Sequence, residues 1–147
     1  EWEVDHALDL AREARDQLES EGIPMGEDIH YGLMMETPSA AVLADVLAKK
    51  ADFFSIGTND LTQYTLAMDR QSNKPENYYD SYHPAILRMI RYITESAHNA
   101  GIPVSICGEL SADTVLTEEF IWMGVDELSV APGMIPVLQK KLVELSN

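Results

Sequence analysis

The chain has 147 residues, with 25 Asp and Glu against 10 Lys and Arg and a formal net charge of −15 at pH 7. That length can bury one core, and a hydrophobic fraction of 46% argues against extensive disorder. Strong acidity argues against nucleic acid as a partner, because a sequence-independent surface for it needs clustered Lys and Arg.

The first element reads as a helix. Val4, Ala7, Leu8, Ala11, Ala14 and Leu18 recur at three- and four-residue spacing, and Gly22 and Pro24 close the pattern. Residues 30–35 are a short apolar strand. Thr37-Pro38 then caps a helix that runs to Lys49-Lys50, whose charges suit a helix C-terminus. A second strand covers residues 52–56 and ends at Gly57, followed by a polar turn, Thr58-Asn59-Asp60, and a short helix. Residues 69–82 are loop-like, rich in Asn, Asp, Ser and Tyr. Ile86, Met89, Ile90, Ile93 and Ala97 form one helical stripe that starts after His83-Pro84 and ends at Gly101. Residues 102–106 are a third strand, after which Ser111 or Asp113 can cap a helix ending near Gly124. A fourth strand over residues 126–130 and a last helix over residues 134–145 complete the chain.

One helix followed by four strand–helix units predicts a parallel sheet with right-handed crossovers. An open doubly wound sheet and part of a (β/α)8 barrel both fit, and a whole barrel takes about 250 residues. No apolar run approaches the roughly 18–20 residues that cross a bilayer. The acidic opening, Glu1-Trp2-Glu3-Val4-Asp5, is not a secretory n-region. The single cysteine, Cys107, makes no intramolecular disulfide and fits a reducing, cytoplasmic compartment.

In either architecture ligands bind at the carboxyl ends of the strands. Those ends carry Glu36, then Gly57-Thr58-Asn59-Asp60, then Cys107-Gly108-Glu109, then residues 129–133. Glu36 and Asp60 follow consecutive strands, so their carboxylates can converge on one hard cation such as magnesium. A solvent-facing Glu36 and a helix-capping Asp60 fit the pattern equally well. Cys107 at the end of the third strand reads as a nucleophile, an acid or a small buried side chain. Arg70 reads as a surface arginine or as a fork for a phosphate or carboxylate near Asp60. His6, His30, His83 and His98 read as structural or solvated, and Tyr78, Tyr79 and Tyr82 as loop packing.

The run of residues 57–70, from Gly57-Thr58-Asn59-Asp60-Leu61 through Asp69-Arg70, resembles a signature of phosphoenolpyruvate-utilising enzymes. Within them it is most similar to enzyme I of the phosphoenolpyruvate:sugar phosphotransferase system. The resemblance continues in Tyr82-His83-Pro84-Ala85-Ile86-Leu87, in Cys107-Gly108-Glu109, and back in Met34-Met35-Glu36-Thr37-Pro38. It covers nearly the whole chain from Ile29 onward. Leu110-Ser111-Ala112-Asp113 departs from the family's small-residue run after Cys-Gly-Glu.

The resemblance implies that residues 1–147 are the second half of a (β/α)8 TIM-type barrel, four βα units preceded by one helix. It implies Mg2+ on Glu36 and Asp60, phosphoenolpyruvate contacts from Asn59, Asp60 and Arg70, and Cys107 as the proton donor that completes pyruvate. The phosphoryl group would go to a histidine on an N-terminal domain that also docks a phosphocarrier protein, feeding sugar uptake. That domain and the first half of the barrel are absent from these residues, so the fragment alone is expected to be inactive. Open sheet edges predict a homo-oligomer. Pyruvate phosphate dikinase or phosphoenolpyruvate synthase is the enzymatic alternative, and a non-catalytic dimerisation module the other.

Overall fold

The computed structural model describes residues 1–69 and 80–146. The elements run α1 (Trp2–Ser20), β1 (Gly32–Met35), α2 (Pro38–Val42), α3 (Ala44–Leu47), β2 (Phe53–Gly57), α4 (Thr58–Leu66), α5 (Pro84–Ala100), β3 (Val104–Cys107), α6 (Thr117–Met123), β4 (Glu127–Leu128) and α7 (Ile135–Leu145). Short 3₁₀ turns occupy Ala48–Lys50, Glu109–Ala112 and Pro132–Met134.

All strand pairs are parallel, and the order across the sheet is β1-β2-β3-β4. Neighbours in the sheet are therefore neighbours in sequence. The order does not reverse among the described strands, which is the reversal a doubly wound sheet places at its ligand crevice.

Alternation along the strands separates two faces. Met35, Phe54, Ile56, Val104 and Ile106 are buried under the helices. Their neighbours Met34, Ser55 and Ser105 form one row with Glu127 on the other face, and Gly57 pairs with Cys107 two residues further along. That second face is open: Met34 is 51% exposed and Phe53 38%.

The helix stripe of α5 is the main lid of the core. Ile86, Ile90, Ile93 and Ala97 are fully buried, at the spacing that keeps one face of a helix on the sheet. Each such isoleucine stabilises the fold by roughly 1.5–3 kcal/mol. His83 is the N-cap, its Nδ1 accepting the Ala85 amide at 3.2 Å, and Pro84 opens the first turn.

Several boundaries differ from the sequence pattern. The helix anticipated between Thr37 and Lys50 is three pieces, interrupted at Leu43 (φ −97°, ψ 14°) and closed by a 3₁₀ turn. Thr37 caps it as anticipated, its side chain accepting the Ala40 amide at 3.2 Å. β4 has two residues rather than five, because its pairing with β3 stops at Ile106 and Leu128. Ser111 lies in a 3₁₀ turn, and Asp113 accepts the Val115 amide at 2.7 Å before α6 begins at Thr117. α1 forms, but none of its residues is buried. Val4 packs partly against the core, and Lys50 reaches back to Asp5 (2.7 Å) and Glu1 (3.2 Å).

Candidate active site

The chemistry-bearing residues gather where the strands end. Glu36 follows β1 and leans across the end of β2. A Cβ built on Gly57 would meet Glu36 Oε2 at 2.7 Å and Met34 Sδ at 3.3 Å, so only glycine leaves that carboxylate room. Gly57 is also the N-cap of α4, which begins at Thr58. Thr58, Asn59 and Asp60 are thus the first turn of the helix and not a preceding loop. This places Asp60 in the first turn of α4, where the helix dipole favours negative charge.

The same turn grips the end of β3. Thr58, fully buried, donates its hydroxyl to the Cys107 carbonyl at 2.8 Å, and Asn59 Oδ1 accepts the Glu109 amide at 3.0 Å. The chain between these anchors passes through Gly108 at φ +95°. A Cβ there would meet Thr58 Oγ1 at 2.6 Å and Asn59 Oδ1 at 3.0 Å. Gly108 is therefore required twice, by its backbone angle and by the close approach of α4. Ser111 Oγ lies 2.7 Å from both the Gly108 and Ser129 carbonyls, which joins this turn to the end of β4.

Cys107 is the last residue of β3 and is half-buried on the open face. Its sulfur is 3.6 Å from Ser55 Oγ, 3.7 Å from Met34 Sδ and 3.5 Å from the Ile56 carbonyl. Further out, the Tyr82 hydroxyl donates to Asp113 Oδ2, tying the segment before α5 to the loop after β3. That hydrogen bond, with burial and the charge of Asp113, raises the Tyr82 phenol above its ordinary pKa.

The structure brings Asn59 directly onto the Cys107-Gly108-Glu109 turn and brings Glu36 over Gly57. Asp60 stands on the same helical turn as Asn59. Arg70, Tyr78 and Tyr79 lie outside the described residues. One participant, Ser55, escapes a reading of the sequence, and so does the partner of Thr58. Both partners depend on the β2–β3 register, which pairs Gly57 with Cys107. The one sequence signal for Ser55 is a hydroxyl in an otherwise apolar strand.

Among the described residues no group of three or more His, Cys, Asp or Glu side chains gathers to hold a metal ion. Two carboxylates at adjacent strand ends do fit magnesium, which takes one or two carboxylates and completes its octahedron with water and substrate oxygens.

The family model described as PEP-utilising enzyme, PEP-binding domain, matches residues 1–146. The chain belongs to this family. It is 41% identical over 145 residues to the phosphoenolpyruvate-protein phosphotransferase of Priestia megaterium, covering 99% of this chain and 25% of that protein. Against the phosphoenolpyruvate-protein phosphotransferase of Staphylococcus carnosus (strain TM300) it is 44% identical over 126 residues, 86% of this chain and 22% of the relative. Against that of Bacillus subtilis (strain 168) it is 40% identical over 145 residues, 99% and 25%. The chain thus spans about a quarter of the length of the curated relatives it matches. Among the described residues no helix is long and apolar enough to cross a membrane.

Proposed function

We propose that this chain is the phosphoenolpyruvate-binding part of a phosphoenolpyruvate–protein phosphotransferase, which moves phosphoryl from phosphoenolpyruvate to an enzyme histidine and releases pyruvate. The observation that carries this reading is the grip of Thr58 and Asn59 on the Cys107-Gly108-Glu109 turn, which sets the carboxylate-bearing helix beside the thiol. The relatives' names favour the phosphotransferase over a dikinase or synthase.

In architecture, we read the sheet as the second half of a (β/α)8 barrel. Sequential parallel order supports this, as does an open face carrying Met34 and Phe53, because parallel sheets are ordinarily covered on both sides. The remaining barrel, the accepting histidine and the phosphocarrier-docking domain would lie elsewhere in the full-length protein, a soluble cytoplasmic homodimer serving sugar uptake.

Phosphoenolpyruvate is multiply anionic, and a chain of net charge −15 needs local positive charge to hold it. Glu36 and Asp60 would hold magnesium, which when bound neutralises substrate oxygens and stabilises charge developing toward the enolate. Asn59, Asp60 and Arg70 would contact phosphoenolpyruvate, with Asn59 and Arg70 orienting the phosphoryl group. Cys107 would give its thiol proton to the methylene carbon of the enolate, yielding pyruvate.

The test uses the full-length protein, phosphoenolpyruvate, magnesium and a phosphate acceptor, with pyruvate release as the readout. A positioned general acid is worth about 10²–10⁴-fold, so Cys107→Ala is expected to slow release by that factor while phosphoenolpyruvate still binds. An unchanged rate would remove Cys107 from the chemistry.

A further inference from the structure

Cys107 is held at two points, and they do different things. Thr58 fixes its main chain through the carbonyl. That bond would place any residue at this position. The second hold acts on the sulfur itself. Ser55 sits on β2, one strand across and on the same open face, and its Oγ is 3.6 Å from Cys107 Sγ. A separation of 3.6 Å suits a hydroxyl-to-sulfur hydrogen bond, since sulfur is larger than oxygen and a weaker acceptor.

The neighbours of that pair restrict the roles. Ser105, opposite Ser55 in the register, turns its hydroxyl to the Phe54 carbonyl at 3.4 Å. The other two groups on the sulfur, Met34 Sδ at 3.7 Å and the Ile56 carbonyl at 3.5 Å, are acceptors without a hydrogen to give. Ser55 is therefore the group around Cys107 Sγ whose hydroxyl donates to it. A donor on sulfur does two things for an acid. It leaves the S–H hydrogen pointing away from Ser55, and it stabilises the sulfur once the proton has gone.

The geometry points to Ser55 as the positioning residue of Cys107: its hydroxyl orients the thiol and supports the thiolate formed when the proton is delivered. This rests on the reading of Cys107 as the proton donor. In that step the S–H bond breaks and a C–H bond forms at the methylene carbon of the enolate. The electron pair stays on sulfur, hydrogen-bonded by Ser55, until solvent water returns a proton. The contact of Ser55 is with the sulfur, and it acts through Cys107.

The experiment compares Ser55→Ala and Ser55→Thr in the full-length protein. Ser55→Ala is expected to lower kcat for pyruvate release roughly five- to twentyfold, the range of one hydrogen bond to a developing charge. The KM for phosphoenolpyruvate should stay within about twofold, since a residue that acts through Cys107 leaves ground-state binding unchanged. The solvent deuterium isotope effect on release should rise, because protonation becomes slower relative to the other steps. Ser55→Thr keeps the hydroxyl and should recover most of the rate. Iodoacetamide labelling of Cys107, followed by peptide mass analysis, reads the same hold without turnover. Ser55→Ala should slow it several-fold, since the thiolate is the reactive form. Unchanged kcat and labelling, or a fall in kcat matched by a rise in KM with no change in isotope effect, would overturn the assignment. A Cys107→Ala protein that released pyruvate at full rate would instead remove the proton-donor reading, and the labelling comparison would still decide whether Ser55 holds the sulfur.

Discussion

The two ends of the sheet are built from the same kind of bond put to different use. At the amino ends, Asp52 and Asp126 each stand immediately before a strand and clamp the start of the preceding one. Asp52 Oδ2 accepts the Tyr31 amide at 2.6 Å, while its own amide donates back to the Tyr31 carbonyl at 2.9 Å. Asp126 repeats the pattern on Val104, at 2.8 Å and 3.0 Å. Each clamp has a histidine beside it: His98 Nε2 is 2.9 Å from Asp126, and His30 Nδ1 is 3.9 Å from Asp52. These ends frame an open hollow of about 590 Å³ whose lining includes Asp52, Phe53, Val104 and Asp126.

At the carboxyl ends the contacts are more varied. Thr58 and Ser111 each donate a hydroxyl to a carbonyl at the end of the next strand, at 2.8 Å and 2.7 Å, while Glu36 over Gly57, Asn59 on Glu109 and Ser55 on Cys107 each occur once. The amino-end clamp recurs at two of the three strand junctions (β2 and β3 are joined instead by the Phe54 amide on the Pro103 carbonyl, at 3.0 Å), and a bond that recurs in this way serves the framework. Bonds that occur once serve a geometry needed in one place. The hollow at the amino ends is larger than a small substrate needs, yet it sits away from Cys107 and the two carboxylates. The comparison assigns it to the framework.

The largest effect that sharpens this contrast is expected from Gly108→Ala. The added methyl meets Thr58 and Asn59 in a backbone conformation that L-residues disfavour, a cost of order 1–3 kcal/mol in strain alone. Pyruvate release should fall more than the melting temperature explains, because the turn carrying Cys107 moves. At the other end, Asp126→Ala should lower stability by about 1–2 kcal/mol, the usual worth of the two hydrogen bonds its carboxylate makes, to Val104 and His98, with activity per folded molecule unchanged. Equal losses of activity from the two variants would break the distinction between the ends.

Asp126 also predicts a pH dependence. Burial pushes its carboxyl up, but the His98 hydrogen bond, the Val104 amide and the charge of His98 together hold its pKa below the ordinary aspartate value. A depressed carboxylate contributes stability that is present above its unfolded pKa and is lost as pH falls through the folded one. The stability gap between the native protein and Asp126→Asn should therefore be full at pH 5–6 and close below about pH 3.8, as chemical denaturation would show. A gap that widened in acid would contradict the assignment. The smallest effect is expected from Tyr82→Phe, which removes one exposed hydrogen bond to Asp113 and should cost at most about 1 kcal/mol.

The four strand–helix units were legible because each strand is a short apolar run and α5 carries one clean stripe from Ile86 to Ala97. Glu36, Asn59, Asp60 and Cys107 were legible as strand-end residues for the same reason. The break at Leu43 was not, since Ala41, Ala44, Leu47 and Ala48 are buried at the spacing of one unbroken helix. Thr58-Asn59-Asp60 read as a turn because its side chains are polar. In the structure these residues are the first turn of α4, with Gly57 as its N-cap. Ser55 and the partner of Thr58 were hidden for a further reason: their bonds join residues 49 to 52 apart in sequence, and only the register of the sheet brings them together.

The proposal that Glu36 and Asp60, at the carboxyl ends, form a magnesium-dependent phosphoenolpyruvate site is tested most directly by titrating phosphoenolpyruvate into the full-length protein, with magnesium and again with chelator. Binding is expected to require magnesium and to be lost in Glu36→Gln and in Asp60→Asn, with Asp126→Ala binding as the native protein does. Equal affinity with and without magnesium, retained in both carboxylate variants, would contradict it.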